Sequence, residues 1–283
     1  MVDQPHCIDG KKIAGSILAR LQHRIQAEQA KPGLAVIQVG SDPASCCYVR
    51  HKRQTCEALG ITSFAHDLSE STQETTLIAL IQSLNVDPQV HGIMVQLPLP
   101  QHIDAQRVCN TIIAEKDVDG LSSVNLGKIV TGEEDRILPC TPKGILHILS
   151  SINFPIRGSR CTLIGASNIV GKPLALELIR LGATITICHE HTQDLATAIK
   201  SADCIISAIG KPGVIQTQWL ADSVTIIDIG ITKTEQGIMG DIDYAHAAQV
   251  ARHITPVPGG VGPVTVAMLM DNTVEAYFKS VAK

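Results

Sequence analysis

Cys161-Thr-Leu-Ile-Gly165-Ala166-Ser167-Asn-Ile-Val-Gly171-Lys-Pro173 decides the fold. An apolar run ends at a glycine and reads as a strand. A polar turn with a second glycine follows, and the apolar stretch Leu174 to Leu181 then reads as a helix. Strand, glycine turn and helix are the parts of a dinucleotide site, where glycines let backbone N–H groups approach a pyrophosphate at a helix N-terminus. The spacing is not G-x-G-x-x-G, so by itself the glycine pair fits an ordinary βα turn equally well. Its surroundings favour the first reading. Thr184–Cys188, Cys204–Ala208 and Thr225–Ile229 are short, nearly continuous apolar runs, the pattern of buried parallel strands. The first of these leads into His189-Glu190, about 25 residues after Gly165, close to the ~20-residue offset of an acid that binds ribose.

The earlier half alternates in the same way. Ile13, Ile17, Leu18, Leu21 and Ile25 fall at helical spacing. Leu34–Val39 reads as a strand ending at Gly40, and Ser41-Asp42-Pro43 starts a helix that runs to Leu59 and stops at Gly60. A strand over 61–68, a helix over 72–84, a strand over 91–97 and a helix over 104–113 follow. Pro98 and Pro100 end the last strand, because proline cannot continue a central ladder. The order βαβα implies a mainly parallel sheet with ligands beyond the carboxyl ends of its strands. Residues 120–140 read as a connection, and a last helix over 265–279 follows a Gly/Pro-rich turn. The expectation is therefore two α/β domains with a cleft between them. The first is 1–120 with the final helix 271–283, and the second is a Rossmann-type domain over 140–270.

Composition narrows the function. The chain has 283 residues, 45% of them hydrophobic but only 2% aromatic, and a net charge of −4. Few aromatic faces and no basic field disfavour nucleic acid as a partner. No apolar run approaches the ~18 residues of a membrane span, and Met1–Lys12 is too polar for a signal peptide, so a cytoplasmic protein is expected. Nine cysteines without a C-x-x-C pair read as reduced thiols, neither a disulfide framework nor a zinc site. His189 and His191 lack a third ligand, so no metal is expected.

Candidate chemistry lies in the first half. Tyr48 and Lys52 stand at i and i+4 and share a helix face. A lysine in a partly dry cleft can serve as general acid or base, and an amide such as Gln96 can orient it. Asp119, in Lys116-Asp-Val-Asp-Gly120, offers a carboxylate to the N–H groups of a heterocycle. From spacing alone, a surface pair with a snorkelling lysine is the better reading of Tyr48 and Lys52.

Asp42-Pro-Ala-Ser-Cys-Cys-Tyr48-Val-Arg-His-Lys52, Val95-Gln-Leu-Pro-Leu-Pro100, Lys116–Gly120 and Ile254-Thr-Pro-Val-Pro-Gly-Gly-Val-Gly-Pro-Val-Thr-Val-Ala267 resemble, in order, the motifs of the bifunctional methylenetetrahydrofolate dehydrogenase/methenyltetrahydrofolate cyclohydrolase family. The resemblance covers nearly the whole chain and looks like the compact two-domain form. It implies oxidation of methylenetetrahydrofolate with NADP, then hydrolysis of the methenyl cation to 10-formyltetrahydrofolate, in a homodimer. By the family's roles Lys52 transfers the proton, Gln96 tunes it, Tyr48 orients the folate and Asp119 anchors the pterin. Val95, Leu97 and the loop Pro258, Gly259, Gly260, Val261 and Gly262 complete the folate site. Gly165, Ala166, Ser167, Gly171, Glu190 and Ile231 line the dinucleotide. Two positions depart from the pattern. Ala166 replaces the family's usual arginine, and Glu190 stands where a non-acidic residue is usual, so NAD becomes a candidate beside NADP. An enzyme keeping one activity, or a folate- or nucleotide-binding protein without turnover, is the alternative reading. The intact Tyr48, Lys52, Gln96 and Asp119 argue against the latter.

Overall fold

The computed structural model describes residues 6–282 except 236; the first five residues of the polar start lie outside them. Chain order begins β1 (His6–Cys7), α1 (Gly10–Ala27), β2 (Gly33–Val39), α2 (Pro43–Leu59), β3 (Thr62–Leu68), α3 (Glu74–Val86), β4 (Gly92–Val95), α4 (Ala105–Thr111), α5 (Ser123–Thr131) and α6 (Cys140–Ser151). It continues with β5 (Arg160–Ile164), α7 (Gly171–Arg180), β6 (Thr184–Cys188), α8 (Leu195–Lys200), β7 (Cys204–Ser207), β8 (Thr225–Asp228), β9 (Thr232–Thr234), β10 (Gly237–Met239), α9 (Tyr244–Ala247), β11 (His253–Ile254) and α10 (Val261–Val281). No helix among the described residues is long and apolar enough to cross a membrane. None of the described cysteines is in a disulfide.

Two compact units form. One is Gly15–Cys140 with the chain from Val266 onward, and the other is Thr141–Thr265 with the described residues up to Ala14. The division falls inside α1 and α10. Residues before Gly15, read from the sequence as part of the first domain, group with the second unit because β1 pairs in parallel with β11.

In the first unit, β3, β2 and β4 lie side by side in that order. All pairs are parallel, with Leu34 opposite Ser63 and Gly92. The middle strand β2 is buried throughout. Ala35, Ile37, Ile93 and Val95 form a core with Leu77, Ile81 and Leu84 of α3 and Val108 of α4. Burying one such side chain contributes about 1.5–3 kcal/mol, and β3, at the edge, buries far less. The strand expected over 91–97 ends at Val95, yet Gln96 N–H still donates to Ile37 C=O (2.8 Å).

The second unit holds a parallel sheet in the order β1-β11-β8-β7-β5-β6. From β5 the chain runs one way to β6 and then back across to β7, which makes the carboxyl ends of β5 and β7 the switch point where α/β sheets take ligands. Ile205, Ile226, Ile254, Ile199 and Ile242 pack in its core. β6 corrects one expectation: as the last strand in the order it is mostly exposed, not buried.

Two further expectations change. The connection over 120–140 contains α5, whose Ser122 side chain accepts Asn125 N–H and whose end is turned by Gly132 in the left-handed region; so short a helix carries little periodicity. The last helix begins at Val261, not Thr265, because Pro263 sits in the first turn, where no N–H is needed. Val261 and Gly262, expected in a loop, open that helix.

Candidate active site

In the first unit the site grows from the start of α2. Asp42 caps the helix by accepting Ser45 N–H (2.8 Å), with Pro43 in the first turn. This fixes the helix directly after β2, and its face carries Tyr48, exposed, and Lys52, half-buried. Lys52 Nζ donates to Gln96 Oε1 (3.0 Å) and approaches Met94 Sδ (3.4 Å). Gln96 Nε2 in turn donates to Leu97 C=O (2.7 Å), which holds the amide oxygen toward the lysine. Val95 is buried in β4, and Leu97 is half-buried just beyond it.

Asp119 reaches the same neighbourhood by a route built from its neighbours. Asp117 bridges to Ile93 beside β4. Its buried carboxylate accepts N–H bonds from Gly120 (3.0 Å) and Ser122 (2.8 Å) and the Asn125 amide (2.9 Å). Asn272 of α10 ties Val118 C=O (2.8 Å) to Leu138 C=O (3.0 Å). Of the two aspartates in the motif, Asp117 therefore shapes the turn, while Asp119 is hydrogen-bonded with Cys140. Burial pushes the Asp119 carboxyl up, and the nearby Lys52 charge opposes that rise. Lys52, Gln96 and Asp119 are thus brought together. The sequence reading missed Asp117, Asn272 and the buried Gln38, which donates to Gly40 C=O (3.2 Å) at the end of β2. A polar residue within an apolar strand was the signal available for Gln38.

In the second unit the quoted stretch forms β5, a turn and α7. Gly165 has φ +123°, and a Cβ there would stand 2.6 Å from Ala208 C=O. A Cβ on Gly171 would stand 1.9 Å from Gly165 C=O. Only glycines allow this close turn, and no side chain caps the N-terminus of α7. Those features fit a pyrophosphate. Ser167 Oγ accepts Val170 N–H (3.1 Å), and Ala166 is half-buried beside it. Glu190, past β6, and Ile231, past β8, are exposed. Pro258, Gly259 and Gly260 form the turn before α10, with Gly259 at φ +105°. His189 and His191 have ring centroids 5.8 Å apart; among the described residues no group of three His, Cys, Asp or Glu could hold a metal ion.

The glycine cradle at the switch point defines a dinucleotide-binding domain, and the protein is an NAD(P)-dependent enzyme of two α/β domains. Residues 8–119 match the family model described as tetrahydrofolate dehydrogenase/cyclohydrolase, catalytic domain, and residues 139–281 match that of its NAD(P)-binding domain. The bifunctional protein FolD of Magnetococcus marinus is 48% identical over 275 residues, 95% of this chain and 96% of that protein. A bifunctional FolD enzyme from Campylobacter jejuni has a crystal structure that superposes with a TM-score of 0.94 at 41% identity, covering 97% of this chain and 99% of that one. The Trypanosoma brucei FolD, solved with NADP and an inhibitor, superposes with a TM-score of 0.94 at 34% identity and 99% coverage of both chains. The chain belongs to the tetrahydrofolate dehydrogenase/cyclohydrolase family. Its activity is NAD(P)-dependent oxidation of methylenetetrahydrofolate and hydrolysis of the methenyl product.

Proposed function

We propose that Lys52 is the proton-transfer residue of the cyclohydrolase step. The observation that carries this is its 3.0 Å hydrogen bond to Gln96 Oε1, on a helix face shared with Tyr48. The methenyl carbon is already a cation, so water attack needs a base more than an electrophile. Lys52 takes a proton from the attacking water as the new C–O bond forms. It returns that proton to the ring nitrogen as the C–N bond breaks, while the hydroxyl proton of the adduct leaves to solvent and the C=O forms, giving the neutral 10-formyl product. Gln96 holds the amine in place without a carboxylate's charge, which would keep the proton on it. Asp119 accepts the amino and ring N–H groups of the pterin, Tyr48 packs on the folate, and Val95 and Leu97 line its site in the first unit. Gly165, Ala166, Ser167, Gly171, Glu190 and Ile231 hold the dinucleotide, whose nicotinamide, when bound, accepts the hydride from the methylene carbon. The decay of methenyltetrahydrofolate absorbance, followed in Lys52 and Asp119 variants, tests these roles. A variant of Asp119 that keeps the wild-type folate KM removes the pterin anchor.

The same reading includes a cytoplasmic homodimer. Support for the dimer comes from β3, an edge strand with half-buried side chains. Pairing β3 with its copy would satisfy the main-chain N–H and C=O groups along its open edge. Replacing Ala65 by proline should then yield monomer in gel filtration, and an unchanged dimer places the interface elsewhere.

A further inference from the structure

Two buried carboxylates of the second unit have no part in the scheme above. Asp228 ends β8 and Asp241 follows β10; they are 4% and 0% exposed. Among the described residues neither has a cation, and every partner is a hydroxyl or a backbone N–H. Asp241 Oδ2 accepts from the Ser207 hydroxyl (2.7 Å) and Ile209 N–H (2.9 Å), and its Oδ1 accepts from Lys211 N–H (2.9 Å). Asp228 Oδ1 accepts from Gly230 N–H (3.0 Å) and Asp241 N–H (3.1 Å), and its Oδ2 accepts from Ile242 N–H (2.9 Å). Thr255 Oγ1 accepts Asp228 N–H (2.7 Å) and donates to Asp228 C=O (3.3 Å). The backbone closes tightly around both acids. A Cβ on Gly230 would stand 2.1 Å from Asp241 Oδ1, and one on Gly240 would stand 2.2 Å from Asp228 Oδ2.

Burying two carboxylates without a cation is costly, and apolar residues would hold a core as well. What the pair provides is geometry. Its bonds fix the segment after β7 (207–211), the segment after β8 (228–231) and Thr255, which enters the turn through Pro258 and Gly259. These segments lie beyond the carboxyl ends of parallel strands, where a dinucleotide binds. We propose that Asp241, with Asp228, is a positioning pair that sets the loops 209–211 and 229–231 of the dinucleotide pocket. The proposal rests on the reading of this domain as the NAD(P) site. Burial, with the adjacent Asp241 charge, raises the Asp228 pKa to about 6 against the opposing pull of its N–H donors. The groups facing it are Asp241, Thr255 and those N–H donors, so nothing but Asp241 carries charge there. Protonation puts a hydrogen where N–H groups converge and removes one acceptor.

The test measures NAD and NADP binding to the purified full chain by calorimetry, beside hydrolysis of supplied methenyltetrahydrofolate. Asp241→Asn should weaken dinucleotide binding by ~10-fold or more, and Ser207→Ala, which removes one donor, by about 3-fold, with hydrolysis within about 2-fold of wild type. Wild-type affinity should fall as pH drops through about 6, and Asp228→Asn should flatten that profile. Unchanged binding in folded Asp241→Asn overturns the proposal, as does loss of both activities in parallel with a lowered melting temperature. If Asp241→Asn does not fold, Ser207→Ala decides, and wild-type binding in that variant overturns the proposal. A wild-type chain that binds neither dinucleotide overturns it together with the reading of the domain, which separates the two failures.

Discussion

Lys52 Nζ donates to Gln96 Oε1 at 3.0 Å, joining the middle of α2 to the residue that follows β4. Replacing Lys52 with methionine keeps the length of the side chain and removes the proton carrier. Hydrolysis of the methenyl compound should fall by ~100-fold or more, the low end for general acid–base catalysis. One hydrogen bond is lost, about 1 kcal/mol, so the melting temperature should change little. A Lys52→Met protein that hydrolyses at the native rate ends the assignment.

Gln96 offers a sharper test because its charge can be changed at nearly constant shape. Gln96→Glu puts a carboxylate 3 Å or so from the amine, where it holds the proton on Lys52. The acid limb of the cyclohydrolase pH–rate profile should move to higher pH, with a lower rate near neutrality. Gln96→Leu removes the orienting acceptor and should slow both the oxidation and the hydrolysis, since folate placement suffers as well. Profiles of Gln96→Glu and wild type that superimpose would show that the amide does not tune the base.

Gly171 separates the two activities. A Cβ there stands 1.9 Å from Gly165 C=O, so even alanine forces the turn open. Dinucleotide KM should rise several-fold in Gly171→Ala while cyclohydrolase activity is retained, because the hydrolysis needs no hydride acceptor. The bulkier Gly171→Val carries the same expectation wherever it folds. Equal loss of both activities in a folded variant would count against this separation.

The sequence made the βα alternation legible because buried parallel strands such as Cys204–Ser207 and Thr225–Asp228 are continuous apolar runs with a turn at each end. It left α5 unseen, since a short helix shows barely two turns of periodicity and its cap, Ser122, resembles any loop serine. β1 and β11 have two residues each; β1 exists by pairing with β11, and β11 by pairing with β1 and β8, which no local pattern encodes. At the site, Lys52 and Tyr48 share a helix face by simple spacing, but Gln96 and Asp119 come from other elements, and spacing cannot say that they converge. The two aspartates of Lys116–Gly120 look alike in sequence. Only the hydrogen bonds show that Asp117 holds the turn. Asp241 was missed for the same reason: a carboxylate surrounded by backbone N–H groups has no side-chain signature.

We propose that cofactor choice turns on Ala166 and Glu190, the two positions at which the sequence departs from the pattern its motifs resemble. NADP carries a phosphate on the adenosine ribose, and binding it calls for a cation, with bidentate arginine favoured. Ala166 follows Gly165 directly in the turn and offers neither charge nor hydrogen bond. Glu190 lies just past β6, its side chain 77% exposed, with His191 Nε2 3.7 Å from its carboxylate. An acid at that point of a Rossmann sheet suits the free ribose hydroxyls of NAD and repels a 2′-phosphate. An alternative cation, Lys172, donates to Asn168 Oδ1 (2.8 Å) within the turn. To reach a phosphate it would have to leave that bond. NAD should therefore be used at least as well as NADP, as measured by kcat/KM for the oxidation with each. Ala166→Arg combined with Glu190→Ser should move the ratio toward NADP by about tenfold or more, the worth of one charge-assisted bond. A strong NADP preference in the wild-type chain sinks the idea. If Lys172→Ala then abolishes that preference, the lysine supplies the contact instead.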